Sequence, residues 1–233
     1  MINQENLKEK VALRAMDFVH SGMRIGIGTG STARYFIKHL GQRVREGLDI
    51  VGVPTSEETT RLAREEGITL SSLDELDELD LTVDGADEVD SELRLIKGGG
   101  GALLREKIVA FASKKMIVIA DSTKKVQHLG VFPLPVEVVP FGLKATYRAL
   151  SDIAKTVNPE ACLTVRCDTQ KKPFLTDGGH YIIDVAFCQI ISPEKLADAL
   201  SSLPGVVEHG LFLGIASGIL LATDNGIEEI GSF

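Results

Sequence analysis

Short apolar runs alternating with helical patterns constrain this chain more than any other feature. Arg24–Gly28, Asp49–Val53, Leu79–Val83 and Met116–Ala120 read as strands, with Leu93–Ile96 as a shorter one. Between them lie stretches with apolar residues at helical spacing, such as Tyr35, Phe36, Ile37 and Leu40, and a helix over Ala102–Ala112. Ser56 is placed to cap another helix, whose Glu57-Glu58 pair suits the positive end of its dipole. A first helix runs from Gln4 to His20 through Leu7, Val11, Met16, Phe18 and Val19, and Ser21-Gly22 ends it. Strands and helices in this alternation predict a parallel sheet with helices on both faces.

The rhythm changes after Val131. Pro133, Pro135 and Pro140 bracket a strand at Val136–Val139, and a helix follows over Leu143–Lys155. Strands around Leu163–Val165 and Tyr181–Phe187 are joined through the turn-rich Asp177-Gly178-Gly179, and Ser192-Pro193 opens a last helix through Leu200. This β-α-β-β-α-β order predicts a smaller α+β, ferredoxin-like domain. The expected fold is therefore α/β: a Rossmann-like, doubly wound, mostly parallel sheet from residues 1–131 and 206–233, with residues 132–205 inserted as the small domain. Leu211–Thr223 is expected to return to the first sheet.

Charge and composition remove several functions. With 25 Lys and Arg against 33 Asp and Glu, the net charge of −8 counts against nucleic acid as a partner. At 44% hydrophobic and 25% charged residues the chain is of ordinary globular type, not disordered. Apolar runs such as Met116–Ala120 and Ile219–Ala222 are far too short for a bilayer, and the polar N-terminus, MINQENLKEK, does not resemble a signal peptide. A cytoplasmic protein without membrane partners is expected. Cys162, Cys167 and Cys188 have neither metal-ligand spacing nor an even pairing framework, as suits thiols in a reducing compartment.

In open parallel sheets, ligands bind beyond the carboxyl ends of the strands, so the residues after each strand matter most. They are Gly28-Thr29-Gly30-Ser31-Thr32, Thr55-Ser56, Asp84-Gly85-Ala86-Asp87, Lys97-Gly98-Gly99-Gly100-Gly101 and Asp121-Ser122-Thr123-Lys124. Hydroxyls, glycines, carboxylates and lysines are thus expected on one edge. The Gly28–Thr32 turn opens a helix, where backbone N–H groups and the dipole suit an anion. It also fits the loose dinucleotide pattern G-x-G-x-x-A through Ala33, but the second strand ends in Thr55-Ser56 where an acidic ribose ligand would stand. A phosphate or sugar cradle fits better than nicotinamide; a plain structural turn is the bland alternative.

Glu106 shares a helical face with Ala102, Val109, Ala110 and Ser113, while Leu104, Ile108 and Phe111 form another stripe. It is either a carboxylate enclosed by small apolar neighbours or a solvated residue beside Arg105 and Lys107. Asp84 and Asp87 are turn residues or functional carboxylates; their spacing matches no EF-hand, and no metal is expected. Lys8 and Lys124 are ordinary surface charges on composition alone, and nothing in the sequence supports catalysis by His180 or His209.

GIGTGSTA at Gly26–Ala33, DGADEVD at Asp84–Asp90 and KGGGGALLREKI at Lys97–Ile108 resemble the signature blocks of type A ribose-5-phosphate isomerases. VEVVPFG at Val136–Gly142, TDGGHYIIDVAF at Thr176–Phe187 and PGVVEHGLF at Pro204–Phe212 resemble the later blocks of that family. The resemblance implies interconversion of D-ribose 5-phosphate and D-ribulose 5-phosphate in the non-oxidative pentose phosphate pathway, without metal or organic cofactor, by a homodimer. It implies that Glu106 is the general base, that Asp84 and Asp87 serve ring opening and sugar hydroxyls, and that Lys97 stabilises an enediolate. Thr29, Gly30, Ser31, Thr32, Gly85, Ala86, Gly98, Gly99, Gly100 and Lys124 would bind substrate, and Lys8 its phosphate. The residue types suit the chemistry, since an aldose–ketose isomerisation needs one base that takes a proton α to a carbonyl and returns it next door. Two other classes stay open: a non-catalytic sugar-phosphate sensor of the same fold, for whose usual DNA-binding module this acidic chain shows no basic patch, and a coenzyme A transferase-like enzyme with a Glu nucleophile.

Overall fold

The computed structural model describes residues 4–233. The chain begins with α1 (Gln4–Ala15), β1 (Arg24–Ile27), α2 (Ser31–Arg45), β2 (Val51–Pro54), α3 (Glu57–Glu65) and β3 (Leu81–Asp84). Next come β4 (Glu88–Val89), β5 (Leu95–Ile96), α4 (Leu103–Phe111), β6 (Met116–Asp121), β7 (Leu134–Val138) and α5 (Leu143–Val157). It ends with β8 (Cys162–Val165), β9 (Tyr181–Ala186), α6 (Pro193–Ser201), β10 (Val206–His209), β11 (Leu211–Phe212), β12 (Gly218–Thr223) and β13 (Gly226–Gly231). No helix among the described residues is long and apolar enough to cross a membrane.

Two compact units emerge. The first comprises the described residues up to Ala86, Arg105–Lys125 and Gly214–Phe233; the second comprises Asp87–Leu104 and Val126–Leu213. This division differs from the expected 1–131 plus 206–233 and 132–205: residues 87–104, 126–131 and 206–213, with β10 and β11, group with the smaller unit.

The first unit holds a six-stranded sheet in the order β13-β12-β6-β3-β1-β2, parallel throughout except for the β12–β13 hairpin at its edge. On one face, Leu7 and Val11 of α1 and Phe36, Ile37 and Leu40 of α2 bury against Ile25, Ile27, Val83, Ile117 and Ile119. A separate cluster joins Val109 of α4 to Val53 and Leu79. Burying each such aliphatic side chain is worth about 1.5–3 kcal/mol, enough to fix the strand register.

The second unit contains a four-stranded antiparallel sheet, β10-β7-β9-β8, crossed in sequence by α5 and α6. Fourth-first-third-second is the strand order of the ferredoxin-like split βαβ pattern. Val136, Val138, Ile183 and Val185 bury against Leu150 and Ala154 of α5 and Leu196 and Leu200 of α6. The two-residue period of a strand therefore sends Pro135, Glu137, Asp184 and Arg166 to the face opposite α5 and α6.

Two expectations about strands need correction. Leu95–Ile96 does not join the parallel sheet; it pairs antiparallel with β4 and β11 in a three-stranded sheet of the second unit. The cause is local: Asp90 Oδ1 accepts the N–H groups of Glu92 and Arg94 at 2.9 and 3.0 Å, and this tight turn folds β5 straight back on β4. Of the Leu211–Thr223 segment, only Gly218–Thr223 returns to the first sheet, because Leu211 and Phe212 pair with Ile96 and Leu95.

Candidate active site

Four of the first unit's parallel strands, β6, β3, β1 and β2, end side by side, which places their following loops on one sheet edge. Asp84, at the end of β3, is fully buried, and its Oδ1 accepts the N–H groups of Thr29 at 3.1 Å and Gly85 at 2.7 Å. Gly28 makes that approach possible: a Cβ there would sit 2.1 Å from Asp84 Oδ1 and 2.6 Å from Asp84 Cα. The Thr29 hydroxyl turns inward, 2.8 Å from both Thr55 Oγ1 and Ser56 Oγ and 3.1 Å from Thr59 Oγ1. Thr59 closes the cluster by donating to the Gly28 carbonyl at 2.9 Å. The hydroxyls of Thr55, Ser56 and Thr59 thus hold the first turn in shape, a role the sequence did not reveal.

Gly30 and Ser31 are exposed, and Gly30, at φ +115°, is the cap residue of α2 with no side chain to bond its first turn. That leaves the positive end of a 15-residue helix open to an anion. Lys124 follows β6 in a single helical turn, half-buried and without an ion pair among the described residues. Lys8 is instead bonded to Glu5 Oε1 at 2.8 Å, and Glu5 also accepts the Tyr35 hydroxyl at 2.6 Å. These partners hold the Glu5 carboxyl below its usual range.

Glu106 lies in the first turn of α4 and is 4% exposed, on the same buried face as Val109 and Ala110. The stripe of Ile108 and Phe111 is the outward one, at 49% and 85% exposure. Arg105 points elsewhere, to Glu57 Oε1 at 2.8 Å. Of the two environments open to Glu106 on sequence, the enclosed one is realised.

In the second unit, Lys97 is 2% exposed, directly after β5. Its N–H donates to the Gly210 carbonyl at 2.9 Å, and its Nζ lies 5.5 Å from the centre of the Phe212 ring, within cation–π reach. Asp87 Oδ2 accepts the Gly99 N–H at 2.7 Å, and a Cβ on Gly99 would stand 2.6 Å from Asp87 Oδ1. Gly98 has φ +104°, the left-handed region that favours glycine. The loop is braced by residues that sequence reasoning missed. Arg166 Nη1 donates to the carbonyls of Gly98 and Gly99 at 2.8 and 3.1 Å, while its Nε and Nη2 grip Asp184 at 2.9 and 2.6 Å.

Beside Asp87, the buried Glu88 carboxylate accepts N–H bonds from Gly130 at 2.7 Å and Phe132 at 2.6 Å. Burial pushes its pKa up; the amide bonds oppose this, and the charge of Asp87 adds to it. Among the described residues, no group of three or more His, Cys, Asp or Glu side chains is placed to hold a metal ion.

The model of the ribose 5-phosphate isomerase A (phosphoriboisomerase A) family matches residues 51–226. A ribose-5-phosphate isomerase A of Rhodopseudomonas palustris strain HaA2 is 58% identical over 229 residues, covering 98% of this chain and 99% of that one. The solved ribose 5-phosphate isomerase A of Methanocaldococcus jannaschii superposes with a TM-score of 0.92 at 40% identity, covering 98% of this chain and all of that one. A D-ribose-5-phosphate isomerase solved in complex with phospho-erythronic acid gives 0.93 at 41% identity, over 99% of this chain and 100% of that one.

Proposed function

The chain belongs to the ribose 5-phosphate isomerase A family and interconverts ribose 5-phosphate and ribulose 5-phosphate; we propose that it does so through an enediolate, with Glu106 as the base. The burial of Glu106 carries this reading. A carboxylate shielded from water can take the C2 proton of the aldose and return it to C1 before solvent exchanges it. As the proton leaves C2, electrons move toward the aldehyde oxygen and negative charge develops on the enediolate. The Lys97 ammonium and the N–H groups of the glycine loop supply the positive charge and donors that this charge requires. Asp84 and Asp87 assist ring opening, in which the anomeric hydroxyl proton passes to the ring oxygen, and they bond the sugar hydroxyls.

The uncapped first turn of α2, Gly30–Thr32, and Lys124 hold the phosphate; Lys8, already paired with Glu5, contributes only if that pair opens. Phospho-erythronic acid, found with one relative, suits this reading, because it joins a phosphate to a carboxylate that carries the charge of an enediolate. The enzyme works in the pentose phosphate pathway as a cytoplasmic homodimer that needs no metal or organic cofactor. The reported relatives bear the isomerase name, and none supports the sensor alternative.

The test is conversion of ribose 5-phosphate by purified protein, with and without EDTA, beside Glu106→Gln. Wild-type turnover should survive EDTA, and the variant should keep its fold by circular dichroism while kcat falls by about 10²–10⁴-fold. Substantial turnover in Glu106→Gln would remove Glu106 as the base. A wild type that binds the sugar phosphate calorimetrically without converting it would be a sensor.

A further inference from the structure

Resting on the isomerase reading above, we propose that Arg166 is a positioning residue for the reaction: held by Asp184, it orients the peptide planes of the glycine loop so that the Gly100 N–H faces the Asp87 side as a donor. The argument rests on peptide geometry. In a planar trans peptide, the C=O and the N–H that follows it point in opposite directions. The Gly98 carbonyl accepts from Arg166 Nη1 at 2.8 Å, and the N–H of the same peptide, that of Gly99, donates the other way to Asp87 Oδ2 at 2.7 Å. The Gly99 carbonyl also accepts from Arg166 Nη1, at 3.1 Å. The same rule turns the Gly100 N–H away from Arg166, toward the side on which Asp87 stands. Gly99 and Gly100 are themselves exposed.

Four glycines in succession carry no side chains to select one conformation, and such a loop would otherwise sample many. The Gly101 N–H closes a turn on the Gly98 carbonyl at 3.0 Å and the Gly99 N–H is held by Asp87; two consecutive carbonyls bound to one Arg166 nitrogen then fix the Gly99–Gly100 peptide between them. Arg166 is itself fixed, because it follows β8 while Asp184 lies on neighbouring β9, and the guanidinium meets the carboxylate through two nitrogens, at 2.9 and 2.6 Å. Phe174 completes the brace: its ring centre lies 6.0 Å from the guanidinium carbon, and a Cβ on Gly101 would be 2.5 Å from its edge. Asp184 offsets the charge of Arg166, so the guanidinium acts on the backbone rather than on the phosphate. Donors aimed before the reaction stabilise a developing oxyanion more than donors that must reorganise.

The experiment compares full-length wild type with Arg166→Lys and Asp184→Asn. The readouts are kcat and KM for ribose 5-phosphate, calorimetric binding of phospho-erythronic acid, and the thermal midpoint. A lysine retains the charge but cannot grip Asp184 and reach two carbonyls as a planar fork. Arg166→Lys should lower kcat by about 10- to 100-fold with KM within about threefold, the scale of a small misplacement of donors. Its affinity for phospho-erythronic acid should fall by about the factor lost in kcat/KM, with the protein still folded at assay temperature. Asp184→Asn should show the same pattern in milder form, and it carries the test alone if the lysine variant does not fold. Wild-type kcat in a folded Arg166→Lys, or a rise in KM with kcat intact, would overturn the proposal. A wild type that does not isomerise, or a Glu106→Gln that does, would instead overturn the isomerase reading beneath it.

Discussion

The turn after β1 and the loop after β5 are both glycine-rich, yet they are held by different means. The first ends a strand inside a parallel sheet, and its partners come from the adjacent strand ends and the helix after one of them: Asp84 on the Thr29 amide, Thr55 and, from α3, Thr59 on the Thr29 hydroxyl. The second ends a strand of only two residues and is braced, besides its own turn bond and Asp87, by Arg166, 68 positions further along, beside another sheet on the face opposite α5 and α6. A loop held by strand ends inherits its geometry from the register of the sheet. A loop held by a remote side chain can lose its geometry while the sheet stays intact.

This contrast is tested most severely at Lys97. Lys97→Ala removes the buried lysine side chain of the second loop. Losing one donor to a developing oxyanion costs about 3–4 kcal/mol of barrier, so kcat should fall by about 10²–10³-fold with KM little changed. Steady-state kinetics decide: a raised KM at full kcat would make Lys97 a binding residue only. Gly28→Ala is the counterpart in the first unit. Its Cβ would meet both the carboxylate and the Cα of Asp84, and a backbone atom in the centre of a sheet cannot move aside cheaply. Overpacking of this kind costs about 1–3 kcal/mol, read as a lower urea midpoint. An unchanged midpoint would mean that the strand ends yield as readily as the braced loop does.

How much of this was legible in the sequence follows from the same contrast. The parallel strands and the β-α-β-β-α-β order could be read because each element is long enough to show its period and is closed by turn residues. Glu106 could be read from the small apolar residues that share its helical face, and the Lys97 loop from its run of glycines. The three-stranded sheet could not, because β4, β5 and β11 are two residues each and two residues have no period. The unit boundaries shifted for that reason, since it is this sheet, with Val126 N–H on the Val89 carbonyl, that binds residues 87–104 to the second unit. Arg166, just after β8, and Asp184 on β9 lie 18 positions apart, and nothing in their spacing marks them as partners.

The smallest effect expected is one of pH, and it has opposite signs in the two units. In the first, the backbone N–H of Arg24 and the Lys114 ammonium hold the Asp80 carboxyl below its usual value. In the second, burial pushes Glu88 above its own. A lowered carboxyl gives stability that is present above its unfolded pKa, 3.8 for Asp80, and is lost as pH falls through the folded value. A raised one stabilises most below its unfolded pKa, 4.5 for Glu88, and loses that contribution as pH rises through the folded value. Urea unfolding across pH, with Asp80→Asn and Glu88→Gln as references that cannot ionise, separates the two. The advantage of wild type over Asp80→Asn should shrink as the solution is acidified below the usual carboxylate range. Its advantage over Glu88→Gln should shrink as pH is raised from 4.5. If that second advantage grew with pH instead, the amides of Gly130 and Phe132 would outweigh burial. Glu88 would then act as a charged clamp on the loop it binds.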